Sequence, residues 1–341
     1  MPDTVITMTR ARTSARVVVL TTGGTIASSP DDSGRNRSGA LQGDMLMNRV
    51  SLPEGAAIDV EVRSLLQKPS NAITRDDLMS LRRECQALAE SSDVTGIVIT
   101  HGTDTLEETA YFLDITLPAS PTLVLTGSQR APHEPGTDAF RNIADAVMVA
   151  ASDEARGLGT LVVFNQSIFS ARQVRKVNSF QVNGFAAPDV GPLGYVDGDR
   201  VRVAMHPARP EPLELPADAT LPRVDILPAY LDASPALLEA AVAGGAAGLV
   251  IDGLGRGHVP PEWLDIIPRI TAQGIPVVIV SSCPSGPVHA SYEFVGSLAS
   301  LEEAGIVAVP DLSARKARLA LSVLLASAKG EVTAPLRTLT A

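Results

Sequence analysis

The chain has 341 residues, enough for two domains of ordinary size or one large α/β unit. Hydrophobic residues make up 45% and charged residues 19%, a globular composition, and 28 Lys and Arg against 38 Asp and Glu leave a net charge of -10. That sign, the lack of a basic block and the 4% aromatic content argue against nucleic acid, and no apolar run reaches the roughly 18 residues needed to cross a bilayer, because Asp189, Glu239 and Asp252 interrupt the longer stretches.

Residues 1–16 are polar, with Arg10, Arg12 and Arg16, and read as a disordered leader. A strand follows them rather than a signal-peptide core, so the expected location is cytoplasmic. Val17-Val18-Val19-Leu20 has no polar alternation, which suits a strand covered on both faces in a parallel sheet. The strand ends in Thr21-Thr22-Gly23-Gly24-Thr25. A glycine pair lets the backbone turn tightly and leaves amides free to approach a ligand. Ligands of open α/β sheets bind beyond the carboxyl ends of strands, so Thr25 stands where one would arrive. A plain turn or a phosphate-binding loop fits this stretch alone equally well. Residues 28–49 are polar and glycine-containing, as expected of a surface loop or of a lid beside Thr25.

Ile58, Val60 and Val62 alternate as a strand, Gln67 to Asn71 closes it, and Thr74 with Asp76 and Asp77 opens a helix to about Glu90. Gly96 to Thr100 is a second apolar strand, followed by His101-Gly102-Thr103-Asp104 and a helix start in which Asp104 or Thr105 can cap, with Glu107 and Glu108 in the first turn. A third strand, Leu123 to Thr126, leads to Gly127-Ser128; then come a helix over 138–151, a strand over 160–164, a basic strand-like stretch over 170–178 and a turn at 191–195. Alternating strands and helices at this spacing predict βαβ units. Five prolines between Met205 and Pro222 mark an extended linker. Beyond it the pattern predicts strands at 223–227, 248–253 and 276–282 and helices from Ser234-Pro235, over 260–272 and over 312–328. The expected fold is α/β with two domains: a larger N-terminal, mostly parallel sheet flanked by helices (17–204), a linker (205–222) and a smaller C-terminal α/β domain (223–341). Cys85 and Cys283 lack metal-site spacing and read as reduced thiols, and no metal or cofactor is expected.

The loops around Thr25, Ser70, Thr103-Asp104 and Ser128 all end strands of one sheet and should gather on one edge, rich in hydroxyls and holding a single acid. A threonine hydroxyl needs a base beside it to act as a nucleophile. His101 reads as structural, and Lys176 is the better candidate. Burial favours a neutral, proton-accepting amine, whereas a neighbouring Asp104 favours the charged form. The plain alternative for Lys176 is a solvated surface charge.

Thr22-Gly23-Gly24-Thr25-Ile26-Ala27 together with His101-Gly102-Thr103-Asp104-Thr105-Leu106-Glu107-Glu108-Thr109 resembles the bacterial-type L-asparaginase and glutaminase-asparaginase family. Val174 to Asn178, Gly191 to Tyr195 and Lys316-Ala317-Arg318-Leu319 extend the resemblance to the C-terminus. It implies hydrolysis of the L-asparagine side-chain amide through an acyl-threonine intermediate, with Thr25 as nucleophile and Thr103 linked to Lys176 and Asp104 as a proton relay that activates water. It further implies that Ser70 and Asp104 hold the substrate's α-carboxylate and α-amino group. Gly24, Asn71, Gly102 and the Ser128 loop would complete the binding site, with an oxyanion hole of backbone amides near Thr103. Asn71 stands where many relatives carry glutamine. The family's tyrosine on the loop after the first motif has no counterpart between Ser28 and Asn48. Relatives borrow a glutamate from a neighbouring subunit, for which Glu293 is the candidate, and this implies a homo-oligomer, dimer or tetramer. L-Glutamine remains an alternative substrate, because one methylene is worth only about 1–3 kcal/mol. A catalytically weak amino-acid-binding relative is the reading favoured by the missing tyrosine.

Overall fold

The structure, a computed structural model, describes residues 14–31, 33–327 and 332–339. Strand β1 (Ala15–Gly23) runs into a 3-10 turn over Thr25–Ala27, a hairpin of β2 (Ser29–Pro30) with β3 (Asn36–Arg37), and the short helix α1 (Gly43–Met47). Then β4 (Ile58–Lys68), α2 (Arg75–Ala89), β5 (Val94–Thr100), α3 (Leu106–Thr116), β6 (Thr122–Thr126), α4 (Ala139–Ala151) and β7 (Thr160–Phe164) alternate strand and helix. β8 (Ser167–Ser170), the small pair β9 (Arg175–Lys176) and β10 (Phe185–Ala186), β11 (Gly194–Asp197) and β12 (Arg200–Val203) follow. Past an extended stretch lie β13 (Val224–Pro228), α5 (Ala236–Ala243), β14 (Gly248–Gly253), α6 (Ile267–Thr271), β15 (Val277–Ser281), α7 (Leu298–Glu303), β16 (Val307–Ala308), α8 (Ala314–Ala326) and α9 (Thr333–Leu339).

The main sheet has the order β12-β11-β8-β7-β6-β5-β1-β4, and the second has the order β13-β14-β15-β16. β4, β1, β5, β6 and β7 run parallel, with the antiparallel strands β8, β11 and β12 at the far edge, and every pairing in the second sheet is parallel. The mixed α/β architecture with a larger, mostly parallel sheet and a smaller one is the expected one. Register decides where the chemistry goes. Thr21 lies opposite Thr100, and Thr100 opposite Thr126, so the chain leaves β1, β5 and β6 in one row.

Burial follows from the sequence pattern. Val17 to Leu20 are fully covered, with Val18 and Leu20 in one core cluster and Val17 and Val19 in another, because consecutive residues point to opposite faces. The first cluster also takes in α2, α3 and α8 together with Val250 and Val278 of the second sheet, so α3 and α8 pack between the two sheets. The outer face of the second sheet is closed by α5, α6 and α7 around Trp263, whose indole N–H donates to the Ala233 carbonyl at 2.7 Å.

Several local expectations are corrected. β1 begins at Ala15, so Ala15 and Arg16 belong to the sheet, while residues 1–13 of the expected leader lie outside the described residues. Of the stretch 170–178 only Ser170, which ends β8, and Arg175–Lys176 are strand; between them the chain turns, with the Val174 amide bonded back to the Ser170 carbonyl. The helix expected over 260–272 is split into a 3-10 turn (Pro261–Asp265) and α6, because Pro268 contributes no N–H to a continuous ladder. Neither Asp104 nor Thr105 caps α3 through its side chain; Thr105 Oγ1 donates instead to the Ser70 carbonyl at 2.9 Å. Pro235, rather than Ser234, occupies the cap position of α5.

Candidate active site

Beyond the carboxyl ends of β1, β4, β5 and β6 the four expected loops meet. Gly24 has φ 83°, and a Cβ there would fall 2.4 Å from both Cα and N of Gly102. A Cβ on Gly102 would fall 2.8 Å from Ser70 Cβ and Oγ. Two glycines are therefore needed for the Thr25 and Thr103 loops to touch backbone to backbone and for the Ser70 side chain to lie against Gly102. The 3-10 turn is held by Ala27 N–H donating to the Gly24 carbonyl (3.2 Å) and by Ser28 Oγ donating to the same carbonyl (3.0 Å). Ile26 is fully buried beneath it, which fixes the half-buried Thr25 on the outside of the turn. Among the described residues no hydrogen bond occupies the Thr25 hydroxyl.

Thr103, 6% exposed, accepts from Lys176 Nζ at 2.7 Å and donates to Gln129 Oε1 at 3.4 Å. The same Nζ lies 2.7 Å from Asp104 Oδ1. The Lys176 side chain is 15% exposed and that of Asp104 is 69% exposed, so the carboxylate faces the open side of the site while the lysine is shielded behind it. A hydroxyl held against an amine that is itself held against a carboxylate is a connected path along which a proton can move. The arrangement excludes the solvated-surface reading of Lys176.

His101 is fully enclosed. Its Nδ1 donates to the Gly102 carbonyl (2.7 Å), which can only accept, so Nε2 carries no proton and accepts from the Thr109 hydroxyl (3.0 Å). Burial lowers its pKa to about 4, leaving a neutral, fully bonded ring with a structural role. Ser70 is buried, Asn71 is exposed, and Ser128 is buried with Oγ donating to the Arg130 carbonyl. Glu293 is exposed on the segment following β15 and joins none of these contacts among the described residues. Cys85 is buried and Cys283 exposed, both free thiols. Sequence reasoning missed Gln129, whose Nε2 donates to the Asn178 carbonyl while its Oε1 faces Thr103, thereby tying the β6 loop to the Lys176 segment. Its position directly after Gly127-Ser128 was the available signal.

A cleft of about 810 Å³ opens at the opposite edge of the main sheet, beside Ala15, Ile58, Thr95 and Arg156. It contains no lysine and no hydroxyl–lysine–carboxylate cluster, so size alone does not locate the chemistry. Among the described residues no three His, Cys, Asp or Glu side chains cluster so as to hold a metal ion, and no helix is long and apolar enough to cross a membrane.

The chain was compared with known proteins. Residues 16–209 match the family model described as asparaginase, N-terminal, and residues 223–334 match the glutaminase/asparaginase C-terminal domain. An L-asparaginase of Bacillus licheniformis is 43% identical over 314 residues, covering 92% of this chain and 96% of that protein. A protein of Haemophilus influenzae named probable L-asparaginase periplasmic is 32% identical over 330 residues, covering 95% and 92%. The crystal structure of a probable cytoplasmic L-asparaginase from Campylobacter jejuni superposes with a TM-score of 0.84 at 29% identity, covering 95% of this chain and 98% of that one. With both of its sheets thus accounted for, the chain belongs to the asparaginase family.

Proposed function

We propose that this enzyme hydrolyses the side-chain amide of L-asparagine to L-aspartate and ammonia, with Thr25 and Thr103 as the two reacting hydroxyls. The observation that carries the reading is the contact of Lys176 Nζ with both Thr103 Oγ1 and Asp104 Oδ1, each at 2.7 Å, on the edge where the Thr25 turn meets Gly102. Thr25 Oγ attacks the amide carbon; the C–O bond forms as the C–N bond breaks, and the nitrogen leaves as ammonia after gaining the proton that Thr25 gave up. A water then adds to the acyl-threonine ester, its proton passing by way of the Thr103–Lys176 pair to the Thr25 oxygen as the ester C–O bond breaks, so that aspartate departs and the Thr25 hydroxyl is restored. Backbone amides beside Gly24 and Gly102 are the groups that face the developing oxyanion. Asp104, largely exposed, would pair with the substrate's α-ammonium group, and the loop bearing Ser70 and Asn71 would hold its α-carboxylate.

The chain is further proposed to be a cytoplasmic homo-oligomer organised as two domains joined through residues 205–222. Leu254, Tyr292, Phe294 and Val295 expose an apolar patch at the carboxyl edge of the second sheet, with the rings of His258, Tyr292 and Phe294 clustered and Glu293 among them. A second copy covering this patch would bring Glu293 to its neighbour. Sedimentation of the purified protein tests this, since a monomer at micromolar concentration contradicts it.

Ammonia release from L-asparagine and L-glutamine by the wild type, Thr25→Ala and Thr103→Ala tests the activity. Loss in both folded variants supports the two-threonine mechanism, and the substrate ratio separates asparaginase from glutaminase-asparaginase. An inert wild type would favour the catalytically weak amino-acid-binding reading, for which the absence of any tyrosine between Ser28 and Asn48 is the specific observation.

A further inference from the structure

One lysine is enclosed more deeply than the chemistry above requires. Lys316, near the start of α8, is 1% exposed. Its Nζ donates to the Val174 carbonyl at 2.5 Å and to the Arg172 carbonyl at 2.8 Å, and it lies 5.9 Å from the centre of the Tyr111 ring. Burial lowers its pKa to about 7; the charges of Glu107 and Asp114 oppose this shift, and those of Arg175 and Arg172 reinforce it. A buried amine is costly unless it is hydrogen-bonded, and here two backbone carbonyls meet that need.

Those two carbonyls belong to the turn that delivers Lys176. β9 is two residues long and pairs only with Phe185 and Ala186, which is little to fix a four-carbon side chain. Glu107, 4% exposed on α3, accepts the Lys176 backbone N–H at 2.5 Å. The helix that carries Lys316 is in turn fastened to the start of α3: Arg315 Nη1 donates to the Asp104 carbonyl (3.3 Å), and Arg318 pairs with Glu108 (2.8 Å). The α8 side chains thus end on the same short stretch of chain that supplies Asp104 and on the backbone beside Lys176.

We propose that Lys316 and Glu107 are positioning residues that clamp the 172–176 backbone, one through its carbonyls and the other through its Lys176 N–H, and so hold Lys176 on Thr103 and Asp104, which makes chemistry at the main sheet depend on a helix packed on the second sheet. The clamp rests on the reading of Lys176 given above. It acts on kcat, because Lys176 takes part in proton movement. It leaves KM nearly alone, because neither clamp residue faces the open side of the site.

The test compares Lys316→Met and Lys316→Gln in the full-length protein, with Lys176→Met as reference and L-asparagine as substrate. Displacement of a reacting group by about an ångström costs on the order of a hundredfold, so Lys316→Met is expected to lower kcat roughly tenfold to a hundredfold with KM within about threefold. Lys316→Gln, which keeps one donor, is expected to fall between Lys316→Met and the wild type. In the Lys176→Met background the Lys316→Met change is expected to alter residual kcat by less than about twofold, since the group it positions is gone. A Lys316 that only stabilises the fold would lower the melting temperature and leave kcat per folded molecule unchanged; that result overturns the clamp. Full activity in Lys176→Met overturns the underlying reading instead. Hydrogen exchange on the wild type needs no variant to fold: the 172–176 amides are expected to exchange slowly, and exchange as fast as that of an exposed loop overturns the clamp.

Discussion

Lys176 Nζ and Thr103 Oγ1 lie 2.7 Å apart although 73 residues separate them in the chain. The strand-end loop of β5 brings one and the short β9 brings the other. Positioned acid–base groups typically contribute about 10²–10⁴ in rate, so Lys176→Met is expected to lower kcat for asparagine by that order while the protein stays folded. Lys176→Arg keeps the charge but presents a planar fork and should not restore the rate. Steady-state kinetics with circular dichroism check this, and a Lys176→Arg enzyme of wild-type kcat would remove proton transfer from the lysine's role.

The glycines at the loop crossing differ in what they tolerate. At Gly24 a side chain meets Gly102 backbone at 2.4 Å and the residue has φ 83°, whereas at Gly102 it meets Ser70 Cβ and Oγ at 2.8 Å and the Gly24 Cα less closely, at 3.1 Å. Gly24→Ala is expected to cost about 1–3 kcal/mol of stability and most of the activity. Gly102→Ala can be accommodated by movement of Ser70, and should show a raised KM with a smaller loss of stability. Urea midpoints and KM for both variants decide; equal stability losses would show that the crossing is not held as tightly as the backbone contacts indicate.

His101 gives a pH dependence whose sign follows from its burial. Its pKa is lowered from 6.5 to about 4, so between these values the unfolded chain binds a proton that the folded chain does not, and stability falls as pH drops through that window. The full effect is on the order of 3 kcal/mol. Stability of the wild type relative to His101→Gln should therefore decline between pH 6.5 and pH 4, as followed by urea denaturation at several pH values. A flat difference would mean that the ring is charged or solvated when folded.

The hairpin after Thr25 is tied to the loop after β6 by an exposed contact, Asn36 Nδ2 donating to Glu134 Oε1 at 2.9 Å. Asn36→Ala is expected to change stability by no more than about 0.5 kcal/mol, as for most exposed positions, while raising KM several-fold. A KM equal to that of the wild type would show that the hairpin does not cover bound substrate.

Much of the site was legible because strand ends carry their own punctuation. Gly23-Gly24-Thr25 and Gly102-Thr103-Asp104 each follow an uninterrupted apolar run, and the parallel register then places them side by side. Lys176 stood out as a candidate base with a solvated surface charge as its alternative, and the resemblance to a family tipped the balance, since two residues of strand leave no periodicity to read. Gln129, Glu107 and Lys316 escaped because their roles depend on contacts across 26, 69 and 142 residues that no local pattern encodes. The helix expected over 260–272 failed on Pro268, and α7 and α9, six and seven residues long, are too short for an amphipathic repeat to stand out. The chain over 205–222 reads as a spacer from its prolines; in the structure Arg209 reaches Asp114 and the Leu117 carbonyl, Leu213 N–H bonds to the Ile115 carbonyl, and Leu215 and Leu221 are buried, so that stretch is fastened along α3.

The order of the strands along the chain has a bearing on biosynthesis. By Val203 every strand of the main sheet has been made, and both threonines with it, but the lysine amine that seats on the 172 and 174 carbonyls is not added until residue 316. On the proposed reading, a nascent polypeptide that stops short of α8 carries Thr25 and Thr103 without the contacts that Lys316 makes to the backbone beside Lys176. If the clamp proposed above holds, hydrolytic competence should appear only after the α8 segment that carries Lys316 has been added.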